Sequence, residues 1–432
     1  MLVEEFGPPI DEFIQVCDRI TDPLELPHDL LDLVMTADLN HIDSSDRYKV
    51  LKCVSYYSLH PDLPTQQRVI EFFEKYSSSS DRLMNYLIDE LKPMLLRSKT
   101  SSRRTQKFQA GLNPTLGFSF EEDRIITEWK ENGGLKGIPL FYMVLRYLKN
   151  YQISVNLNWI IPGIMNMLDN TSELKLIKLR GVLLLKTFLL YCFENDDKTS
   201  GKWITFKQTG IFDMVDPILK NMCYFLPPSY NEYDSLDILE LVYGTMVVLY
   251  EQSMDDQMMK RRLGTALLSD IILRHTLPRI GIKYETLLEF QLDSVERIIH
   301  ILDKNVVIHL QRIIYTFGEY VIRDPFLTTI KNKNILLKML SIFNILVKVC
   351  PKERIQAHKY DLVAGVCVIF QKYNTEGGIY TELSNELDKF LDVLIAKGCN
   401  LDNIIIPLVE EKPQFKDFLI NKLQKDRSVD IS

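Results

Sequence analysis

The stretches LLEFQLDSVERIIHIL at residues 287–302 and ILLKMLSIFNILVKVC at residues 335–350 decide the fold class. In each stretch, apolar residues recur at alternating steps of four and three: Leu288, Leu292, Val295, Ile299 and Leu302, and then Leu336, Leu340, Phe343, Val347 and Cys350. Those steps place every member on one face of an α-helix. Both stretches are therefore predicted to be helices that bury one side.

A third stripe of the same kind gives the spacing of a repeat. Taking every second predicted helix, the stripes start at Leu288, Leu336 and Leu383, at intervals of 48 and 47 residues. Further apolar residues beside the stripes, such as Ile298 and Ile342, widen the buried face, as expected where a helix touches both neighbouring repeats. The spacing is close to that of HEAT and armadillo repeats. It predicts an all-α fold, an α-solenoid of stacked helix pairs.

Composition agrees with a helical, folded chain. Of 432 residues, 46% are hydrophobic and 25% charged, which excludes disorder of the whole chain, and 18 glycines are few for a β-sandwich or a Rossmann fold. Seven cysteines without a CxxC spacing favour a reducing environment, so we expect a cytoplasmic and nuclear protein. The acidic N-terminus does not resemble a secretory signal. The apolar run at 182–193 is too short to span a bilayer and is predicted to be a buried helix; no membrane partner is expected.

Charge divides the chain into three predicted parts. Residues 1–96 carry 8 basic and 18 acidic side chains and are predicted to form an N-terminal helical block. Residues 97–120 carry five basic side chains and no acidic one, lack an apolar period, and are predicted to be a flexible basic linker. Residues 121–432 are predicted to form a C-terminal HEAT-like solenoid.

The basic linker leaves alternatives open. It could bind phosphates and stack Phe108 on a base, or it could act as a nuclear localisation signal. A solvated strip, or one lying against an acidic surface, is favoured, because no basic domain accompanies the five charges. Nucleic acid is therefore not an expected partner.

The sequence contains none of the common catalytic or metal-binding motifs: HExxH, GxGxxG, GxxxxGK[ST], GxSxG, paired zinc ligands or an EF-hand loop. We therefore expect no catalytic residues, no cofactor and no metal site. An enzymatic alternative would assemble its site from scattered residues such as His300, His309 and Glu319. Another alternative is a transport or trafficking adaptor that binds peptide cargo on the same fold, although the three tryptophans do not recur at a repeat spacing.

Four stretches, taken in order, carry a family resemblance. They are NPTLGFSFEEDRIITEWK at 113–130, WIIPGIMNMLDNTSELKLIKLRGVLLLKTFL at 159–189, FDMVDPILKNMCYFLPPS at 212–229 and VKVCPKERIQAHKYDLV at 347–363. In order and spacing they resemble the Tel-two-interacting protein two family, the smallest subunit of the Triple-T, or TTT, complex. The resemblance covers residues 113–375.

The resemblance implies a non-catalytic α-solenoid scaffold. It implies direct binding to the large HEAT-repeat subunit of TTT, in a complex whose third member is the Tel-two subunit. It also implies that this complex acts as a cochaperone with the ninety-kilodalton heat-shock chaperone machinery. The implied clients are the phosphatidylinositol-kinase-related kinases, very large helical proteins whose folding and assembly need assistance.

Cations and one tryptophan within these stretches are the candidate partner-binding residues: Lys352, Arg354, His358, Arg180, Trp129 and Lys130. The first three cluster on a predicted helical turn, where they could bind acidic side chains or cap the preceding helix. Gly181 inside a helix is unfavourable unless another helix packs close, so the pair Arg180-Gly181 is predicted either to pack tightly within the chain or to contact a partner. Trp129 is predicted to be an anchor for its segment or an interface hot spot.

Overall fold

A computed structural model describes residues 8–77, 81–96, 118–193, 204–378 and 381–423. These residues fall into two compact units, the first ending at Ile211 and the second beginning at Phe212. Both units consist of helices and their connections, and the described residues include no β-strand. The predicted fold class, an all-α solenoid of stacked helix pairs, is confirmed.

The α-helices described in the first unit are α1 (Pro8–Arg19), α2 (His28–Thr36), α3 (Ser44–Ser55), α4 (Leu63–Ser77), α5 (Asp81–Leu91), α6 (Phe118–Glu131), α7 (Gly134–Tyr147), α8 (Asn150–Leu168) and α9 (Leu179–Tyr191). A π-helical segment, Leu174–Lys178, leads directly into α9. Short 3-10 helices cover Pro23–Glu25, Leu39–His41, Lys92–Met94 and Phe206–Thr209. The run predicted to be a buried helix is α9, and its side chains Val182, Leu185 and Phe188 are buried.

Helix α7 lies at the centre of the first unit. Because it is apolar on nearly all sides, it needs neighbours on more than one face. Helices α3, α5, α6 and α9 all pack against it. The predicted block of residues 1–96 thus contributes helices to the same unit as α7, and the unit boundary at residues 211 and 212 lies well beyond the predicted linker. Residues 118–120, predicted as the end of that linker, are instead the start of α6. Residues 97–117 lie outside the described residues, so the flexibility of that part stays a prediction.

The α-helices described in the second unit are α10 (Phe212–Met222), α11 (Glu232–Ser253), α12 (Asp256–Arg262), α13 (Leu277–Ile280), α14 (Glu285–Leu302), α15 (Leu310–Phe317), α16 (Lys333–Val349), α17 (Lys352–Ala357), α18 (Lys359–Thr375), α19 (Thr381–Ala396), α20 (Asp402–Glu411) and α21 (Lys416–Leu419). π-helical segments occupy Leu263–Thr276 and Gly318–Ile322. Short 3-10 helices cover Gly281–Lys283, Asp303–Ile308, Pro413–Phe415 and Ile420–Lys422. Within the described ranges of both units, no helix is both long and apolar enough to cross a membrane.

Four helices of the second unit form one row, because α11 packs on α14, α14 on α16, and α16 on α19. The last three begin at Glu285, Lys333 and Thr381, a spacing of 48 residues that agrees with the predicted repeat. Every residue of the first two stripes is buried, and so are the members of the third, Leu383, Leu387, Phe390 and Leu394. The alternating steps of four and three therefore identified the faces along which these helices stack.

Phe343 lies at the middle of this row. Its ring centroid is 5.7 Å from that of Phe317 in α15 and 6.0 Å from that of Phe390 in α19. These separations lie within the range of favourable aromatic pairs. Phe343 thus joins three helices through one side chain that is almost fully buried.

A buried carboxylate joins the first three helices of the second unit. Asp216 in α10 accepts hydrogen bonds from Lys220 Nζ at 2.7 Å, Arg262 Nη2 at 2.7 Å and Tyr250 Oη at 2.9 Å. Burial acts to raise the pKa of Asp216, but the hydrogen bonds from these partners outweigh it, so that the pKa is lowered. Asp216 is therefore ionised at neutral pH and ties α10 to α11 and α12.

Replacing Phe343 with aspartate should unfold the C-terminal helix pairs. The change removes an aromatic side chain worth roughly 3–5 kcal/mol and places a carboxylate between the rings of Phe317 and Phe390 at a buried position. Helicity by circular dichroism and the midpoint of urea unfolding would measure the loss. The matched control is Tyr315→Asp on the adjacent α15, where the aromatic side chain is exposed and little change is expected. Equal midpoints for the two variants would contradict the packing described for Phe343.

Candidate partner-binding surfaces

Titratable side chains do not converge in the described residues. No group of three or more histidine, cysteine, aspartate or glutamate side chains there could hold a metal ion. His300 is exposed on α14, whereas His309 is buried against Gly264. Glu319 accepts a hydrogen bond from Arg323 at 2.9 Å. The three residues of the enzymatic alternative thus have different neighbours and form no cluster.

Three of the predicted site residues lie together at α17, and we call Lys352, Arg354 and His358 the basic α17 surface. Lys352 and Arg354 are exposed, and neither forms an ion pair with another described residue. His358 is half-buried, with Nδ1 3.6 Å from Oδ2 of Asp361. The short helix is held by its one buried side chain, Ile355. The two exposed cations are therefore free to meet carboxylates of another molecule.

An apolar groove lies next to this surface. It has a volume of about 500 Å³ and runs between α18 and α20, where Val363, Val368, Ile404 and Leu408 line it. Tyr360, two residues beyond His358, stands at the groove, and its hydroxyl accepts a hydrogen bond from Asn403 Nδ2 at 3.0 Å. The sequence did not single out this groove. Its apolar residues on α20 have helical spacing, but spacing alone does not tell a covered face from an open one.

Arg180 lies in the second turn of the helical stretch that starts at Leu174, and it is half-buried. Burial lowers the pKa of its guanidinium, and among the described residues it forms no ion pair. The next residue packs tightly, since a Cβ at Gly181 would lie 2.9 Å from Cβ of Met167 in α8. The close packing predicted for Gly181 is therefore present, and it fixes the position of Arg180.

Trp129 and Lys130 at the end of α6 make contacts within the first unit. Trp129 Nε1 donates a hydrogen bond to the carbonyl oxygen of Met94 at 2.7 Å, and its indole lies against Gly134. Lys130 pairs with Glu173. These contacts fit the interpretation of Trp129 as an anchor that fastens α6 to the 3-10 helix at 92–94 and to α7. Their role in binding a partner stays a prediction.

The described part of the chain thus defines a class of protein: stacked helices with an exposed basic surface at α17 and an apolar groove between α18 and α20. Comparison with known proteins identifies the family. A model of the Tti2 family matches residues 50–329. TEL2-interacting protein 2 of Saccharomyces cerevisiae is 38% identical over 382 residues, which cover 87% of this chain and 90% of that protein. The chain belongs to the Tti2 family, as the four stretches in its sequence predicted.

Gly181→Ala should lower stability, because the added methyl group meets the backbone and Cβ of α8. Overpacking costs roughly 1–3 kcal/mol and the better helix propensity of alanine returns about 1 kcal/mol, so a net loss of about 1 kcal/mol is expected. Gly318→Ala is the matched control, since no atom of the described residues other than its chain neighbours and its own helix backbone lies within 4 Å of the added methyl group. It should be neutral or stabilising by up to about 1 kcal/mol. Urea unfolding measures the free energy of unfolding of both variants and of the unchanged chain. An increase of that free energy in Gly181→Ala would contradict the close packing of Gly181 on α8.

Proposed function

We propose that this chain is a non-catalytic scaffold subunit of a TTT cochaperone complex. The observation that carries the proposal is its 38% identity, over nearly the full length of both chains, to a yeast protein named for its interaction with TEL2. The proposed partners are the Tel-two subunit and, by direct contact, the large HEAT-repeat subunit. The complex would support folding, assembly and stability of phosphatidylinositol-kinase-related kinases, together with the ninety-kilodalton heat-shock chaperone, in the cytoplasm and nucleus.

The fold suits a scaffold on physical grounds. Stacked helices bury their inner faces against each other and leave their outer faces and connections for other molecules. Stable protein interfaces bury about 1,200–2,000 Å² in total, which needs a broad surface and no deep active site. Binding a second stack of helices in this way requires shape and charge complementarity but no chemical step.

The basic α17 surface and the adjoining groove are the proposed contact with the large subunit. Lys352 and Arg354 supply unpaired positive charge, and the groove between α18 and α20 supplies apolar area. An acidic, amphipathic helix of the partner would match both features, since its apolar face fits a groove and its carboxylates meet the two cations.

Reconstitution tests the proposed function. The full chain is co-expressed with the two proposed subunits, and the purified material is analysed by size-exclusion chromatography with light scattering. A complex that holds this chain in stoichiometric amount is expected. Separate elution of this chain from both subunits at micromolar concentration would contradict the proposal.

Reversal of both exposed cations, Lys352→Glu with Arg354→Glu, should weaken binding of the large subunit about tenfold, which corresponds to about 1.4 kcal/mol. Helicity should not change, because neither side chain is buried. Lys304→Glu with Arg261→Glu is the matched control, as both of these cations are also exposed in the second unit. Surface plasmon resonance at two salt concentrations measures the effect. Equal affinities for the two double variants would show that the basic α17 surface is not the contact.

A further inference from the structure

The first unit contains a small cavity that none of its helices fills. Five elements surround it: the 3-10 helix at 23–25, the chain after α3, helix α7, the π-helical segment at 174–178, and α9. Its walls are largely apolar and include Leu24, Leu59, Ile138 and Leu176. The space is about 50 Å³. Sites for small molecules occupy roughly 300–1,000 Å³, so this cavity has room for one side chain and is too small for a metabolite.

Arg180 lines this cavity, and its positive charge has no acidic partner among the described residues. Other cations of the unit that lose contact with water have polar partners: Lys52 pairs with Glu90 at 3.0 Å, and Lys136 donates to the carbonyl oxygen of Cys17 at 2.7 Å. The Arg180 guanidinium is half-buried and has no ion pair among the described residues. A partly desolvated cation without a partner is unfavourable, and a carboxylate that reached it would gain a charge-assisted, bidentate contact.

One acidic side chain, that of Asp22, also lines the cavity. Its Oδ1 accepts a hydrogen bond from the backbone N–H of Leu24 at 2.9 Å, which caps the 3-10 helix at 23–25. It forms no ion pair with Arg180. His60, at the same cavity, has its pKa lowered by burial and by the neighbouring His28. Arg180 is therefore the residue at this cavity that can attract an anionic group at neutral pH.

Two leucine side chains at the rim of the cavity are partly exposed to solvent. Leu24 is 50% exposed and Leu176 is 41% exposed, and they belong to different elements that meet at the cavity. Leu176 lies within the π-helical segment, and π-helical turns in proteins are often found at functional sites. The contact of Gly181 with α8 holds α9 in place, so the position of Arg180 is set before a ligand binds.

We propose that this cavity binds a short segment of a partner protein in which an aspartate or glutamate carboxylate pairs with Arg180 and a neighbouring apolar side chain packs between Leu24 and Leu176. Charge complementarity selects the carboxylate, and the volume of the cavity limits the anchor to one apolar side chain. The inference rests on the proposed scaffold function only in that another protein supplies the segment. It specifies the chemistry of the ligand whichever subunit or client that protein is.

Selection from a library of random twelve-residue peptides tests this site without any assumed partner. The peptides are displayed with their C-termini fused to the carrier, so that only side-chain carboxylates are available. The purified full-length chain is the bait, in parallel with Arg180→Glu and with the matched control Arg82→Glu, an exposed arginine on α5. We expect peptides with Asp or Glu close to Leu, Ile or Phe to be enriched by the unchanged chain and by Arg82→Glu, and to be lost with Arg180→Glu.

A second variant and a change in the peptide distinguish loss of binding from misfolding of the Arg180→Glu chain. Leu24→Glu places a carboxylate at the exposed rim without touching the core, and it should also abolish the enrichment. For a selected peptide, replacing its acidic residue with the amide should lower affinity at least tenfold in isothermal titration calorimetry. The proposal is overturned if no motif depends on Arg180, or if the amide peptide binds as well as the acidic one. None of these outcomes depends on whether the chain joins a TTT complex, which the reconstitution decides separately.

Discussion

Burial of the apolar faces of α14, α16 and α19 against one another is the interaction on which the second unit depends. Each helix covers the stripe of the next, so no helix of the row buries its face alone. Phe343 in α16 shows this dependence, since its ring packs against aromatic rings of both α15 and α19. Loss of one helix from such a row would expose the apolar faces of two neighbours. The stack is thus held together by a sum of contacts between adjacent elements.

Polar contacts add specificity to this apolar framework. Asp216 fixes three helices relative to one another through charged hydrogen bonds, and Trp129 fastens α6 through one indole N–H. These hydrogen bonds join helices within one unit. Lys352, Arg354 and Arg180 differ, because their charges are not paired with other described residues. In a scaffold, unpaired charge beside apolar surface is the feature by which a partner can be recognised.

The sequence predicted the parts of the fold that periodicity controls. The stripes of residues 288–302 and 336–350 carry a complete helical pattern, and both predicted helices, their buried faces and their spacing are present in the structure. The π-helical segments at 174–178 and 263–276 were not predicted, because an extra residue per turn leaves little trace in an apolar pattern. The cavity at Arg180 could not be predicted from the sequence either. It is formed by four separate parts of the chain, at residues 22–24, 56–60, 135–139 and 176–180, which the sequence alone does not bring together.

Candidate partner-binding residues could be chosen from the sequence by residue type, but the surroundings of each side chain could not be predicted. Trp129, Lys130 and Arg180 all looked suited to an interface, yet the first two are engaged inside the first unit and only Arg180 faces an open cavity. Pairing between distant segments decides which cation is satisfied, and a single sequence does not show that pairing. The same limit applies to the division into units, because helices before residue 96 pack on α7 beyond the predicted linker.

Hydrogen exchange of the full-length chain, followed by mass spectrometry, tests the central claim most directly. The stacked row predicts that backbone amides of α14, α16 and α19 exchange slowest in the second unit, since they open only when neighbouring helices separate. The short, mostly exposed α17 provides the fast reference within the same molecule. Exchange of α16 as rapid as that of α17 would contradict the account of a mutually buried helical stack.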